Sequence, residues 1–337
     1  MIDAAWAPAV DAASTAPLTI VIGPSDAGKT TLVTALANVL FDRGFSVAIV
    51  DADVGQSVLG PPTTVGLGRV NRRMERPGDA ELIAMAFVGT TSPAANLTGT
   101  VVATGRLVAR ARAHGIARVV VDTGGLIAGD LGRALKQAKI DLLDADLVVC
   151  LERSDECETV LRPYRATARP RVVRLTPSAA ARPRNPEMRR RYRDDAFARY
   201  FAGSRRIVLD LRSVVLKRPA LFVGEPLSAE KILEASAVVG DDVIWAERRH
   251  GDTAVLTRTA LTATATRQLS RVFESGPVVA YAIDDLVGAL AGLDNAAGET
   301  TGLGIVRALA IDPPSLALET PVAPDTIAVV TIGRAKF

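Results

Sequence analysis

The chain has 337 residues, and at roughly 150 residues per domain this length indicates two domains, with enough apolar residues for a large core. Its net charge of +3 is too small to identify a binding partner, and two cysteines exclude a disulfide framework. Cys150 and Cys157 are therefore expected to be reduced structural thiols.

The first hundred residues carry no targeting or membrane signal. Residues 1–16 lack the basic and long apolar regions of a signal peptide, so we expect a loosely ordered lead-in there. Residues 82–105 form a long uncharged run, but Pro93, Asn96 and three glycines argue against a membrane span. We therefore expect a cytoplasmic protein that binds no membrane.

From residue 17 onward, apolar runs alternate with stretches of helical spacing. Strands are predicted over residues 18–22, 47–51, 82–87, 118–122, 147–151 and 172–175, and helices over 31–41, 97–114 and 130–138. Strands that alternate with helices predict βαβ units and a mostly parallel, helix-flanked sheet. In such a sheet, ligands bind outside the carboxyl ends of the strands.

Residues 23–30 read Gly-Pro-Ser-Asp-Ala-Gly-Lys-Thr, which fits the P-loop pattern G-x-x-x-x-G-K-[ST]. In this pattern backbone N–H groups wrap a polyphosphate, Lys29 reaches the β- and γ-phosphates, and Thr30 ligates Mg²⁺. The N-terminus of the following helix adds further N–H groups. The alternative is a tight strand-to-helix turn that only resembles a P-loop. The nucleotide-binding candidates are Gly23, Pro24, Ser25, Asp26, Ala27, Gly28, Lys29, Thr30 and Thr31.

Polar residues follow the second predicted strand. Asp53 could orient or deprotonate an attacking hydroxyl, or it could hold Mg²⁺. Gln56 could position a water or a phosphate oxygen. Because Asp51 and Asp53 alternate along an extended chain, only one of them need face the nucleotide, and Asp51 could instead cap local backbone.

A further carboxylate ends the apolar run at residues 119–121. Asp122 has the form of a Walker B acid, which supports Mg²⁺. Thr123 and Gly125 could present a hydroxyl and a backbone N–H to the phosphates. The alternative is a turn-forming aspartate in front of two glycines.

Residues 151–206 are rich in arginine, with fifteen arginines, no lysine and seven acidic residues. The planar guanidinium suits phosphate, which it can bind in a bidentate manner. The alternative is a solvated basic helix face with Asp194 and Asp195 as partners. Around a predicted helix over residues 186–201 lie Arg184, Arg189, Arg190, Arg191, Arg193 and Arg199.

The helical alternation weakens after residue 206. We expect a P-loop domain over residues 17–206 and a smaller β-rich domain over 207–337, with a helix near 229–235. Strands are expected near residues 207–211, 243–246, 254–256, 278–282, 302–310 and 328–332. The sequence holds no Asn-Lys-x-Asp guanine motif, which weighs against an ordinary GTPase, and no Cys/His cluster that would indicate zinc.

Five motifs, in this order, resemble those of the Clp1/Grc3/Nol9 family of polynucleotide 5′-hydroxyl kinases. They are GPSDAGKTTL at 23–32, DADVGQ at 51–56, GTTSPAAN at 89–96, DTGGLIxG at 122–129 and the arginine-rich stretch that ends RYFAG at 199–203. The resemblance implies transfer of the γ-phosphate of ATP, with Mg²⁺, to the 5′-hydroxyl end of a nucleic acid. RNA is favoured over DNA as the substrate, and protein partners are unknown.

The resemblance also implies roles for single residues. Lys29 and Thr30 would hold the phosphates and metal, Asp53 would activate the 5′-hydroxyl, and Gln56 would contact the reacting phosphate or metal waters. Thr123 and Gly125 would form a clasp over the phosphates. The metal candidates are Thr30, Asp53 and Asp122. Within a lid over about residues 177–204, the arginines expected to brace the transferring phosphate are Arg184, Arg189 and Arg193.

One departure concerns the clasp, where the family often has a tryptophan and this chain has Leu126. The difference puts base stacking at that position in doubt. It motivates one alternative to a polynucleotide kinase, an ATP-binding scaffold or regulatory NTPase of an RNA-processing complex. A separate alternative is a small-molecule kinase or GTPase of the same P-loop class.

Overall fold

The computed structural model describes residues 4–178, 185–240, 242–274 and 276–337. The chain divides into two compact units, Met1–Tyr200 and Phe201–Phe337. The predicted domain boundary at residue 206 lies a few residues too late, because residues 205 and 206 begin a strand that pairs within the second unit. Within the described ranges, no helix is both long and apolar enough to cross a membrane.

The first unit is organised around one sheet, with strand order β7-β6-β1-β5-β2-β3-β4. Its strands are β1 (Leu18–Ile22), β2 (Val47–Ala52), β3 (Thr64–Val70), β4 (Glu81–Phe87), β5 (Arg118–Thr123), β6 (Leu147–Leu151) and β7 (Arg171–Leu175). The part from β7 to β2 is parallel, whereas β3 pairs antiparallel with both β2 and β4. The mostly parallel sheet is therefore confirmed, with an antiparallel extension at one side.

Helices cover both faces of this sheet. They are α1 (Ala7–Thr15), α2 (Lys29–Asp42), α3 (Leu97–Ala113), α4 (Gly129–Leu143) and α5 (Glu158–Leu161). The helix α6 (Pro186–Phe201) follows β7 along the chain. The central strand β1 is apolar on both sides, because Leu18, Ile20 and Ile22 join the core beneath α3, α4 and α5, while Val21 joins the core beneath α1 and α2. This two-sided burial explains why β1 reads as a continuous apolar run.

The prediction of a loosely ordered lead-in over residues 1–16 is wrong. Residues 7–15 form α1, in which Ala9, Ala12 and Ala13 are buried, and Trp6 is 9% exposed just before it. Alanines three and four residues apart share one helix face, and their small side chains let the helix approach the core closely. Burial of this alanine face, together with Trp6, fixes the segment against the first unit.

The second unit contains two sheets and three further helices within its described residues. Its strands are β8 (Arg205–Asp210), β9 (Val215–Arg218), β10 (Glu225–Pro226), β11 (Val243–Arg249), β12 (Asp252–Thr257), β13 (Val278–Ala282), β14 (Ala289–Asp294), β15 (Thr300–Ile311), β16 (Pro314–Thr320) and β17 (Val329–Lys336). Its helices are α7 (Ala229–Val239), α8 (Ala263–Val272) and α9 (Ile283–Leu286). One sheet has the order β8-β16-β15-β14-β17-β9, and the other has the order β10-β11-β12-β13.

Strand β12 shows how the second unit is layered. Ala254 and Leu256 point into a core shared with the larger sheet, where the half-buried Trp245 also packs. Val255, between them, points the other way into a core formed with α7 and α8. This alternation confirms the β-rich C-terminal unit, and it places the two helices on the outer face of the smaller sheet.

Candidate active site

The P-loop connects β1 to α2, and two of its glycines have steric reasons to be glycine. A β-carbon at Gly23 would lie 2.3 Å from the carbonyl oxygen of Leu151. Gly28 has a φ of 91°, in the left-handed region, where it begins α2. The loop is thus wedged against β6 at one end and turned sharply into the helix at the other.

Lys29 lies beneath this loop. Its side chain is 7% exposed, and Nζ donates a hydrogen bond to the carbonyl oxygen of Pro24 at 2.7 Å. Burial lowers the pKa of Lys29, and the nearby carboxylates of Asp122 and Asp53 oppose this shift. The ammonium group is therefore held at the loop within the field of two carboxylates.

Thr30 and Asp122 meet beside the P-loop. The Thr30 hydroxyl donates to Asp122 Oδ2 at 2.7 Å, and Asp122 is 2% exposed. Burial raises the pKa of Asp122 to about 6. The other carboxylate oxygen, Oδ1, is buried without a hydrogen-bond partner in the described chain. The hydroxyl oxygen of Thr30 and the carboxylate of Asp122 are oxygen ligands of the kind that Mg²⁺ prefers, so these two residues fit the expected cation.

Asp53 follows β2 and is anchored through one oxygen. Oδ1 accepts the backbone N–H groups of Gly55 and Gln56, both at 3.1 Å. Among the described residues, none donates a hydrogen bond to Oδ2. A β-carbon at Gly124 would lie 3.5 Å from Oδ2, so the carboxylate lies directly beside the turn that follows β5. The half-buried Gln56 closes the same turn.

Asp51 has a structural role. It is 1% exposed, and Oδ2 accepts the backbone N–H of Val58 at 2.7 Å and the hydroxyl of Ser57 at 3.1 Å. Burial and the carboxylates of Asp122 and Asp53 raise the pKa of Asp51 to about 7. Of the two alternatives for Asp51, the capping role is the one observed.

The turn after β5 lies against the P-loop. A β-carbon at Gly125 would lie 2.5 Å from both the backbone nitrogen and the Cα atom of Ser25, so only glycine fits there. Thr123 differs from the expectation: it is 1% exposed, and its hydroxyl donates to the carbonyl oxygen of Val21 at 2.8 Å. The hydroxyl that is expected to donate to a phosphate therefore donates to β1 and ties β5 to that strand.

Helix α6 reaches the P-loop through one arginine. Arg189 Nη2 donates to Asp26 Oδ2 at 2.5 Å, and Arg189 Nε is buried without a partner among the described residues. Arg193 lies one turn further along the same helix and is half-buried. The third predicted arginine, Arg184, lies outside the described residues.

The motif at residues 89–96 supports the site from outside. A β-carbon at Gly55 would lie 2.6 Å from the carbonyl oxygen of Thr91, so this loop packs on the turn that anchors Asp53. Asn96 donates to the carbonyl oxygen of Val88 at 2.8 Å and caps α3 by accepting from the N–H of Gly99. The motif thus ties the end of β4 to α3 and braces the Asp53 turn.

Two buried lysines on α4 are absent from the sequence-based prediction. Lys136 and Lys139 are each 1% exposed, and their ammonium groups donate to the carbonyl oxygens of Gly124 at 2.6 Å and Ala52 at 3.4 Å. Burial lowers the pKa of both, to about 8 for Lys139. A signal was available, since these lysines lie on the helix face that also carries the buried Leu135 and Ile140.

The sequence resembles a known family and several named proteins. The family description of the mRNA cleavage and polyadenylation factor CLP1 P-loop matches residues 23–203. The chain is 30% identical over 320 residues to a polyribonucleotide 5′-hydroxyl-kinase of Pyrococcus furiosus, covering 94% of this chain and 86% of the relative. It is also 32% identical over 205 residues to the Clp1 polyribonucleotide 5′-hydroxyl-kinase of Xenopus tropicalis, covering 56% of this chain and 45% of that protein.

A solved structure agrees on the fold. The wild-type Clp1p–Pcf11p complex superposes with a TM-score of 0.61 at 12% identity, covering 95% of this chain and 74% of that chain. The family match spans more than half of the sequence and includes the P-loop, the Asp53 turn, the turn after β5 and helix α6. The protein therefore belongs to the Clp1 family of P-loop proteins.

Proposed function

We propose that the protein is a polynucleotide 5′-hydroxyl kinase, which transfers the γ-phosphate of ATP to the 5′-hydroxyl end of RNA during RNA processing. The observation that supports it best is the placement of Asp53. Its Oδ2, which takes no hydrogen bond from the described residues, lies beside Gly124, and the next residue, Gly125, lies on the P-loop. A carboxylate oxygen that could accept the proton of a hydroxyl group therefore lies next to the phosphate-binding loop. The names of the relatives support RNA as the molecule that carries this hydroxyl.

The donor side is formed by the P-loop. Its backbone N–H groups would hold the phosphates of ATP, and Lys29, now bonded to the carbonyl oxygen of Pro24, would reach the β- and γ-phosphates. Thr30 and Asp122 would hold Mg²⁺, and Asp53 remains a further candidate ligand. When bound, the ion would neutralise charge on the reacting phosphates.

The acceptor side is formed by Asp53. Oδ2 would accept the proton of the 5′-hydroxyl, whose oxygen forms a bond to the γ-phosphorus while the bond from that phosphorus to the bridging oxygen of ADP breaks. Gln56 is held in the same turn and would contact the transferred phosphate. Arg189, and by their spacing Arg193 and Arg184, would balance charge on that phosphate.

The test is phosphate transfer from γ-labelled ATP to matched 5′-hydroxyl RNA and DNA oligonucleotides in the presence of Mg²⁺. We expect labelled RNA with the wild-type protein and a loss of at least about 100-fold in kcat for Asp53→Asn, with ATP affinity retained. Lys29→Ala should lose ATP binding as well. The matched control is Asp11→Asn, because Asp11 is an exposed carboxylate on α1.

Each outcome separates the alternatives. Tight ATP and RNA binding without a labelled product would overturn the kinase and favour an ATP-binding scaffold, which is the reading suggested by Leu126. Transfer to a small molecule without nucleic-acid affinity would favour a small-molecule kinase. Competition by GTP measures the nucleotide preference, and a cytoplasmic location stays a prediction.

A further inference from the structure

We propose that Lys136 and Lys139 are positioning residues, which set the orientation of two backbone peptides in the site: Gly124–Gly125 at the clasp and Ala52–Asp53 at the acceptor. The proposal rests on the proposed kinase function and adds to it two residues that act through the backbone. Both lysines project from one face of α4, three residues apart.

Lys136 fixes the clasp. Its ammonium group donates to the carbonyl oxygen of Gly124 at 2.6 Å. Because the peptide bond is planar and trans, the N–H of Gly125 points away from that carbonyl, and so away from Lys136. This N–H makes no hydrogen bond with the described part of the chain, and Gly125 itself lies against Ser25 of the P-loop. Lys136 therefore directs an available backbone donor at the phosphate cradle.

Lys139 fixes the peptide that leads into Asp53. Its ammonium group lies 3.4 Å from the carbonyl oxygen of Ala52, and the N–H on the other side of that peptide donates to Asp51 Oδ1 at 3.1 Å. The peptide is thus held from both sides. Because Ala52 and Thr123 are paired in neighbouring parallel strands, one helix face can reach both strand ends.

The charges of the site explain why lysines serve here. The buried or half-buried carboxylates of Asp51, Asp53 and Asp122 are matched by three ammonium groups on Lys29, Lys136 and Lys139. A buried ion is costly unless it is paired, so the lysines offset the burial of these carboxylates. The competing explanation is that the lysines only stabilise the fold. It predicts that Lys136→Met lowers the melting temperature, because removing one partner from a buried charged cluster is destabilising, and that the protein which still folds keeps the wild-type kcat.

The decisive variants are Lys136→Met and Lys136→Gln. The control is Lys231→Met, because Lys231 is a half-buried lysine of α7, in the second unit, that pairs with Glu234. We expect Lys136→Met to lower the melting temperature and, in the folded protein, to lower kcat at least tenfold. The Kd for ATP should rise by a smaller factor than kcat falls, and the KM for RNA should stay within about threefold of the wild type. Lys136→Gln retains an N–H donor and should restore at least a third of the lost rate. Lys139→Met should also lower kcat, because the peptide that leads into Asp53 then loses its contact with the ammonium group and is held from one side only.

A second readout does not depend on activity. Hydrogen exchange followed by mass spectrometry should show that ATP protects the peptide containing Gly125 in the wild type and not in Lys136→Met, whereas the P-loop peptide is protected in both. If the wild type transfers no phosphate yet shows this difference, the kinase fails and the positioning role stands. A wild-type kcat in Lys136→Met, or equal protection of the Gly125 peptide, would overturn the proposal. If Lys136→Met does not fold, Lys136→Gln decides: a loss in ATP affinity instead of kcat counts against it.

Discussion

Replacing Gly125 by alanine tests how closely the clasp and the P-loop are packed. The new β-carbon would lie 2.5 Å from the backbone nitrogen and Cα of Ser25, whereas ordinary contacts begin at 3.4 Å. The P-loop backbone must therefore retreat by about 0.9 Å, and a side-chain rotation cannot relieve the clash, since both atoms are backbone. Overpacking of this kind costs about 1–3 kcal/mol. If the cost falls on the nucleotide-bound loop, the Kd for ATP rises roughly 5- to 150-fold.

The assay is ATP binding by titration calorimetry, together with thermal unfolding to separate lost affinity from lost stability. Gly203→Ala is the matched control, because a β-carbon at Gly203 meets no atom within 4 Å. We expect the control to bind ATP as the wild type does. A folded Gly125→Ala protein that binds ATP within twofold of the wild type would refute the reasoning, because the loop would then accommodate the methyl group freely.

Three further results follow from the site. Arg189→Gln should lower kcat/KM for RNA at least tenfold with little change in ATP affinity, while Arg190→Gln, at an exposed neighbouring position, should have no effect; equal behaviour of the two variants would contradict the role of Arg189. Thr30→Ala should raise the Mg²⁺ concentration for half-maximal rate at least tenfold, and an unchanged Mg²⁺ titration would argue against Thr30 as a ligand. The pKa of Lys139 is lowered from 10.5 to about 8, so the folded chain binds fewer protons than the unfolded chain in that range. The wild type should therefore gain stability relative to Lys139→Met as the pH rises from about 8 to 10.5, which melting temperatures across that range will check; a constant difference would contradict it.

Much of the first unit could be predicted because its signals are local. The strands β1 and β6 and the helix α6 have the expected bounds, since an apolar run or a helical spacing ends at a clear break. Strand β3 was not predictable in this way, because two glycines interrupt its apolar pattern and its burial comes from its neighbours in the sheet. Helix α1 was missed for a related reason: its buried face consists mainly of alanines, which give little amphipathic contrast.

The site was predictable where a motif carries the chemistry. The P-loop, Asp53 and Asp122 lie close together as expected, because their strands end at the same edge of the sheet. The contributions of Lys136 and Thr123 depend on contacts between residues far apart in the sequence. Lys136 reaches back to Gly124, and the Thr123 hydroxyl is directed across to β1, and neither direction can be read from a spacing.

The ordered N-terminal segment also gives the chain a spectroscopic use. The sequence has two tryptophans, and they lie in different units: Trp6 just before α1 in the first, and Trp245 on β11 in the second. Trp6→Phe and Trp245→Phe each leave a single tryptophan, whose emission is selected by excitation at the red edge of the tryptophan band, where tyrosine does not absorb. The intrinsic fluorescence of the two variants can therefore follow the unfolding of each unit separately, and adding ATP should delay the transition reported by Trp6.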